Sequence, residues 1–168
     1  MQQMDFPEQN RTNALVLEYL LRDENAATFI PSSSGTSSSG ARLLLNMVTS
    51  LKPATQVILE VGAQIIELSN VEVAKHWLGM IPNNGHIHAV VFVNENDEIC
   101  VLDQNRCVEL LHTLPFAKQL EACYVFLDEA HTRGIDLKLP VNYRAAVILG
   151  PDITKDKLVQ GKSLKEKP

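Results

Sequence analysis

The sequence predicts an α/β fold in which a layer of buried strands and flanking helices carries an inserted antiparallel meander. Three stretches predict it. Gln56 to Leu68 (QVILEVGAQIIEL) is a continuous apolar run rich in β-branched residues, which suits a strand buried on both faces. Ile87 to Leu111 alternates short apolar runs with polar turns, the pattern of a three-stranded meander. Cys123 to Gln160 reads as strand, loop, strand and helix start, a cadence in which ligands gather at the C-terminal ends of strands.

The elements follow in order. Asn10 to Glu24 carries Leu15, Leu17, Leu20 and Leu21 among polar residues, with Asn10 or Thr12 as N-cap, and predicts a helix. The Ser/Gly stretch 31–40 (PSSSGTSSSG) has too few apolar side chains to pack and predicts a loop. Ala41 to Leu51 predicts a second helix, stopped by Lys52-Pro53. The strand within Gln56 to Leu68 is free to break at Gly62. Ser69-Asn70-Val71-Glu72 is a capping box for a helix whose apolar face is Val73, Ala74, Trp77 and Leu78, closed by the turn 82–85.

The meander consists of IHAVVFV, a turn at Asn94 to Asp97, EICVLD, a two-residue turn at Gln104-Asn105 and RCVELL. Phe116 to Ala122 predicts a short helix. Cys123 to Leu127 and Arg144 to Leu149 are apolar strands, and Lys155 to Gln160 begins a helix. The chain thus divides into an N-terminal helix and loop (1–40), an α/β lobe (41–160) and a Lys-rich tail (161–168).

The 168 residues, 45% of them apolar, suffice for one sizeable core. The net charge of −5 is uneven: from Thr154 onward five Lys face Asp156 and Glu166, so the remainder stands near −8. Such a surface is unsuited to capturing nucleic acid. Cys100, Cys107 and Cys123 are an odd number without paired zinc spacing, which predicts a reduced, intracellular protein, cytoplasmic or nuclear. No apolar run reaches the roughly 20 residues of a membrane helix, and the start MQQMDFPEQ is not a secretion signal.

The segment YVFLDEAHTRGIDLKLP (124–140) carries the strongest chemical signal. Asp128-Glu129-Ala130-His131 resembles the acidic box with which helicases bind a nucleotide, and Thr132-Arg133-Gly134-Ile135-Asp136 resembles a loop of their second lobe. A nucleotide box works with a phosphate loop. The nearest imitation, Gly35 to Arg42, has Ala41 where Lys belongs and Arg42 where Ser or Thr belongs; Gly161-Lys162-Ser163 lacks the earlier glycine. The quartet 128–131 therefore reads first as an acidic turn at a strand end. The pentad 132–136 is followed by a strand and a helix start, as in the second lobe of RecA-like motors, where Gln160 would face the nucleotide cleft. Arg133 to Leu139 is similar to the Arg-Gly-Thr-Asp-Ile-Lys-Leu run of the bacterial secretion ATPase. Nucleotide-contacting candidates are thus Asp128, Glu129, Thr132, Arg133, Gly134, Asp136 and Gln160.

Cys123 and His131 are the nearest Cys/His combination for thiol hydrolysis, but an extended chain separates them by roughly 26 Å. Cys123 begins an apolar strand and reads as an inert core thiol. With a two-residue turn Cys107 faces Leu102, which disfavours a disulfide with Cys100. His86 and His88 share a strand face, His76 and His112 stand alone, and no metal or other cofactor is expected.

The run Ala89 to Gln160, above all LDEAHTRGIDLKLP and RAAVILGPDITKDKLVQ, resembles a block in a family of very large fungal proteins commonly labelled ubiquitinyl hydrolase, or ubiquitin thioesterase. QVILEVGAQIIELSNVEVAKHWL resembles the segment that precedes it. In that family the block continues past Gln160 with a cysteine, a methionine and several arginines, where this chain has 161–168 (GKSLKEKP), so the sequence reads as a truncated or alternatively joined product. The resemblance implies a thiol-dependent deubiquitinase of the ubiquitin conjugation pathway, with ubiquitin or a ubiquitinated protein as partner and a longer N-terminal part as a further lobe. It supplies no catalytic-cysteine motif in these residues. The residues themselves predict a helicase-type second lobe or a non-catalytic interaction fragment, inactive alone.

Overall fold

The computed structural model describes Thr28 and residues 40–81, 87–114, 120–132, 135 and 137–150. Residues 1–34 and 35–168 form two compact units, and the elements below belong to the second. The predicted helices at 10–24 and 155–160 lie outside the described residues, as do the loop at 31–39 and the turn at 82–85.

The described residues form a mixed α/β unit. Its elements are α1 (Gly40–Ser50), β1 (Val57–Glu60), α2 (Asn70–Met80), β2 (Ala89–Val93), β3 (Ile99–Asp103), β4 (Val108–Leu110), β5 (Cys123–Leu127) and β6 (Ala145–Ile148), with 3₁₀ turns at Leu111–Thr113 and Leu120–Ala122. The sheet has six strands in the order β4-β3-β2-β5-β1-β6. β2, β5, β1 and β6 are mutually parallel, while β3 and β4 extend the sheet antiparallel.

Alternation along the strands explains their apolar continuity. Ile58, Val90, Phe92, Cys100, Leu102 and Phe126 pack under α1 and α2, with Leu44, Leu45, Val73 and Trp77. Val57, Leu59, Val91, Val101, Cys123 and Val125 face the other way, against Leu111, Leu120, Leu137 and Tyr143. Strands covered on both faces have no solvent side to mark with polar residues. Trp77 stacks on Tyr124 of β5 with centroids 4.8 Å apart, an arrangement that contributes about 1 kcal/mol beyond area burial.

The capping box is present: the Glu72 carboxylate accepts the Ser69 backbone N–H at 2.8 Å and the Ser69 hydroxyl at 2.7 Å, and α2 starts at Asn70. Val73, Ala74 and Trp77 are buried as their spacing predicts.

Two predictions need correction. The strand expected over Gln56 to Leu68 ends at Glu60. Val61 to Ser69 is irregular, Ala63 takes φ 47°, and the buried Glu60 carboxylate accepts the Ile65 N–H at 2.9 Å, returning Ile65 to the core. The turn expected at Gln104-Asn105 has three residues: Arg106 takes φ 63°, its N–H bonds the Asp103 carbonyl, and Leu102 pairs with Val108. Cys107 therefore opposes Asp103 and not Leu102. A residue in the left-handed region closing a type I turn is the usual three-residue hairpin, normally signalled by glycine. β2, β3, β4 and β6 are each shorter than predicted by one to three residues, and β5 has its predicted bounds.

The order of the strands fixes where a ligand could sit. β1 leads through α2 to β2, which lies beyond β5; β5 leads to β6, which lies beyond β1. These two crossovers leave neighbouring strands in opposite directions and on opposite faces. A crevice between the C-terminal ends of β1 and β5 is the binding position this topology provides.

Candidate functional site at the C-terminal edge of the sheet

The C-terminal ends of β1, β2 and β5 bring together Glu60, the turn 94–98 and the turn 128–132. Asp128 is the first residue past β5. In the alternation that puts Tyr124 and Phe126 under the helices, Asp128 falls on the same face and meets α2. Asn70 donates one side-chain hydrogen bond to Asp128 Oδ2 at 2.9 Å and another to the Val93 carbonyl at 2.9 Å, tying β2, α2 and β5 at one point. Asp128 Oδ1 accepts the His131 backbone N–H at 3.0 Å, so this carboxylate closes its own turn.

His131 stands between two carboxylates. Its Nδ1 is bonded to Asp128 Oδ1 and its Nε2 lies 2.9 Å from Asp97 Oδ1 of the β2–β3 turn. Burial would lower the imidazole pKa, but the hydrogen bonds to Asp97 and Asp128, and then their charges, outweigh it and raise the pKa above the usual histidine value. Thr132 is buried and donates its hydroxyl to the Glu129 carbonyl at 3.1 Å. Glu129 is half-buried in the same turn.

Gly62 and Gly150, just past β1 and β6, complete the edge. A Cβ on Gly62 would stand 1.9 Å from the Gly150 backbone nitrogen, so the two chain segments touch backbone to backbone. Glycine at position 62 is a requirement of that approach.

Of the predicted site residues, the structure joins Asp128, Glu129, His131 and Thr132 in one turn. Arg133, Gly134, Asp136 and Gln160 lie outside the described residues. Cys123 lies at the opposite end of β5 from His131, fully buried, and burial pushes its thiol up to about 12. Cys100 is buried in β3, its thiol raised chiefly by burial, and Cys107 is exposed; all three are free thiols. His88 and His112 are exposed, His76 is half-buried beside Arg42, and His86 is not among the described residues.

Comparison with protein-family models, curated proteins and solved structures finds no match. Among the described residues no group of three or more His, Cys, Asp or Glu side chains could hold a metal ion, and no helix is long and apolar enough to cross a membrane. The arrangement can orient an imidazole, hold a proton on it and present it at a strand end.

Sequence reasoning missed the partners that organise the site. Asn70 registers in the sequence only as part of a capping box, and Asp97 only as a turn residue. Asn70 lies 58 positions from Asp128 and Asp97 lies 34 from His131. Only the strand order brings them together.

Proposed function

We propose that this chain is an α/β lobe of a protein in the fungal family labelled ubiquitinyl hydrolase, serving protein deubiquitination inside the cell without carrying the catalytic thiol itself. The placement of Cys123 is the observation that carries the second half of this reading. A thiol hydrolase needs thiolate and imidazole in hydrogen-bond reach. Here the nearest thiol in sequence is buried, held in its neutral form and a strand length, about 13 Å, from the end that bears His131. The family membership rests on the resemblance of LDEAHTRGIDLKLP and RAAVILGPDITKDKLVQ. The lobe then contributes its C-terminal sheet edge to ubiquitin, or to a further lobe of a longer protein.

A ubiquitin probe with a thiol-reactive C-terminus tests this directly. The isolated chain stays unlabelled, while unmodified ubiquitin shifts the amide resonances of residues 94–98 and 128–132. Covalent labelling lost on Cys123→Ala would overturn the assignment of the thiol. Absence of any ubiquitin-induced shift would overturn the ubiquitin partner.

A second reading is supported by one observation, the parallel β2-β5-β1-β6 core with Asp128 at its switch point. In it the lobe is RecA-like and binds a nucleotide through Arg133, Gly134, Asp136 and Gln160, with Asp128, Glu129 and Thr132 holding the turn that presents them. A fluorescent ATP analogue then binds saturably, and Arg133→Ala abolishes binding. Silence in both assays leaves a non-catalytic interaction fragment.

A further inference from the structure

We propose that Asp97 and His131 form a proton-operated latch that fastens the β2–β3 turn over the imidazole Nε2 at the C-terminal edge of β5. The latch governs the access of ligands to this edge, whichever ligand the edge takes.

Both ring nitrogens of His131 face carboxylate oxygens, Nδ1 facing Asp128 and Nε2 facing Asp97 at 2.9 Å. A carboxylate only accepts hydrogen bonds, and a neutral imidazole has one N–H. The doubly charged clamp is therefore complete only with the imidazolium, which donates to both. When the ring loses a proton, one nitrogen turns a lone pair toward a carboxylate, and that contact opens.

The surroundings decide which contact opens. Asp128 is 23% exposed at its side chain and is also held by Asn70 and by the His131 backbone N–H. Asp97 is 87% exposed and has no other side-chain hydrogen bond or ion pair among the described residues. The proton stays on Nδ1, and Asp97 leaves. The Asn94 side chain accepts the N–H groups of Asn96 and Glu98 and donates to the Glu98 carboxylate, so the turn keeps its own structure as it moves.

The other charged groups nearby leave this logic intact. Glu98 belongs to Asn94, Glu72 of α2 is turned onto Ser69, and Glu129 adds negative charge in the same turn as Asp128. Burial opposes the imidazolium, but the hydrogen bonds and charges of Asp97 and Asp128 outweigh it and raise the His131 pKa above the ordinary value of about 6.5. Acid fastens the turn, and a pH above the raised value frees an Nε2 lone pair one residue before Thr132. That lone pair is then available to accept a hydrogen bond or a proton from a bound ligand.

NMR titration of the full chain tests the latch. The His131 ring signals titrate with a midpoint above about 6.5, and the backbone amides of Asp97 and Glu98 follow the same midpoint. In Asp97→Asn the His131 midpoint falls, because the hydrogen bond and charge of Asp97 that raise it are lost, and the turn amides no longer track it. Asp97 is exposed, so the variant keeps the fold, which unchanged β5 amides verify. The latch is overturned by turn amides that ignore the His131 midpoint, or by an Asp97→Asn midpoint equal to that of the wild type.

Discussion

At the N-terminal end of β5 the Cys123 side chain is fully buried, and its carbonyl accepts the Tyr143 hydroxyl at 2.9 Å, which also reaches the Leu120 carbonyl at 2.8 Å. At the other end, one residue past Leu127, Asp128 collects Asn70, the His131 backbone and the His131 ring within reach of solvent. Five residues of one strand thus separate a dry anchor from a polar, titratable edge. The dry end holds its thiol neutral and inert; the polar end favours the charged form of an imidazole. Chemistry that needs a thiolate is stranded at the wrong end, and chemistry that needs a positioned imidazole or an acidic turn is at the end where this topology places ligands.

The largest effect expected from this contrast is in thiol reactivity. With its thiol pushed up to about 12, Cys123 holds about a thousandfold less thiolate near pH 8 than an ordinary cysteine. Iodoacetamide applied to the native chain, followed by mass spectrometry, should modify the exposed Cys107 and leave Cys123 untouched until denaturant is added. Comparable labelling of Cys107 and Cys123 in the native protein would remove the distinction between the two ends.

Next comes the backbone contact at the polar edge. Gly62→Ala puts a methyl 1.9 Å from the Gly150 nitrogen, and backbone cannot rotate away as a side chain can. The ends of β1 and β6 must separate, at a cost of about 3 kcal/mol in urea denaturation. A midpoint within error of the wild type would mean that the two segments are not in contact.

The dry end is tested by Tyr143→Phe, which keeps the ring and deletes only the hydroxyl. It leaves two buried carbonyls without that donor and should cost about 2 kcal/mol. The His131 titration should be unmoved, because Tyr143 contacts the face and end of β5 away from Asp128. A shift in the His131 midpoint would show that the ends communicate.

What the sequence made legible divides along the same line. β5 was predicted with its observed bounds because Cys123 to Leu127 is an unbroken apolar run, and the capping box predicted the start of α2 because Ser69 and Glu72 act within one turn. The extent of β1 misled, since Ile65, Ile66 and Leu68 continue its apolar spelling. Their fold-back depends on Glu60, whose buried carboxylate takes the Ile65 N–H. The β3–β4 turn misled because Arg106 occupies a left-handed position that glycine usually marks. The quartet 128–131 was readable as an acidic turn, but its two outside partners were not, since Asn70 and Asp97 reach it from α2 and the β2–β3 turn only through the parallel pairing of β2 with β5.

The smallest effect is the pH dependence of stability, and it distinguishes the two ends by the pH window in which each acts. The folded state raises the His131 pKa above its unfolded value, so folding binds the proton more tightly. The stability this supplies is fully present below the unfolded value of about 6.5 and is lost as pH rises through the folded value. His131→Gln removes the titration while leaving a polar side chain. The gap in urea midpoint between wild type and His131→Gln should therefore be widest below the ordinary histidine value of about 6.5 and should shrink on the alkaline side. The Cys123 anchor has the same sign in a different window: burial raises its pKa, so its contribution is constant across the histidine range and fades only at the higher pH where an unfolded thiol would ionise. A gap that widened with pH would require a His131 held neutral in the folded chain. The two carboxylates would then not be its partners, and the polar end would be no more titratable than the dry one.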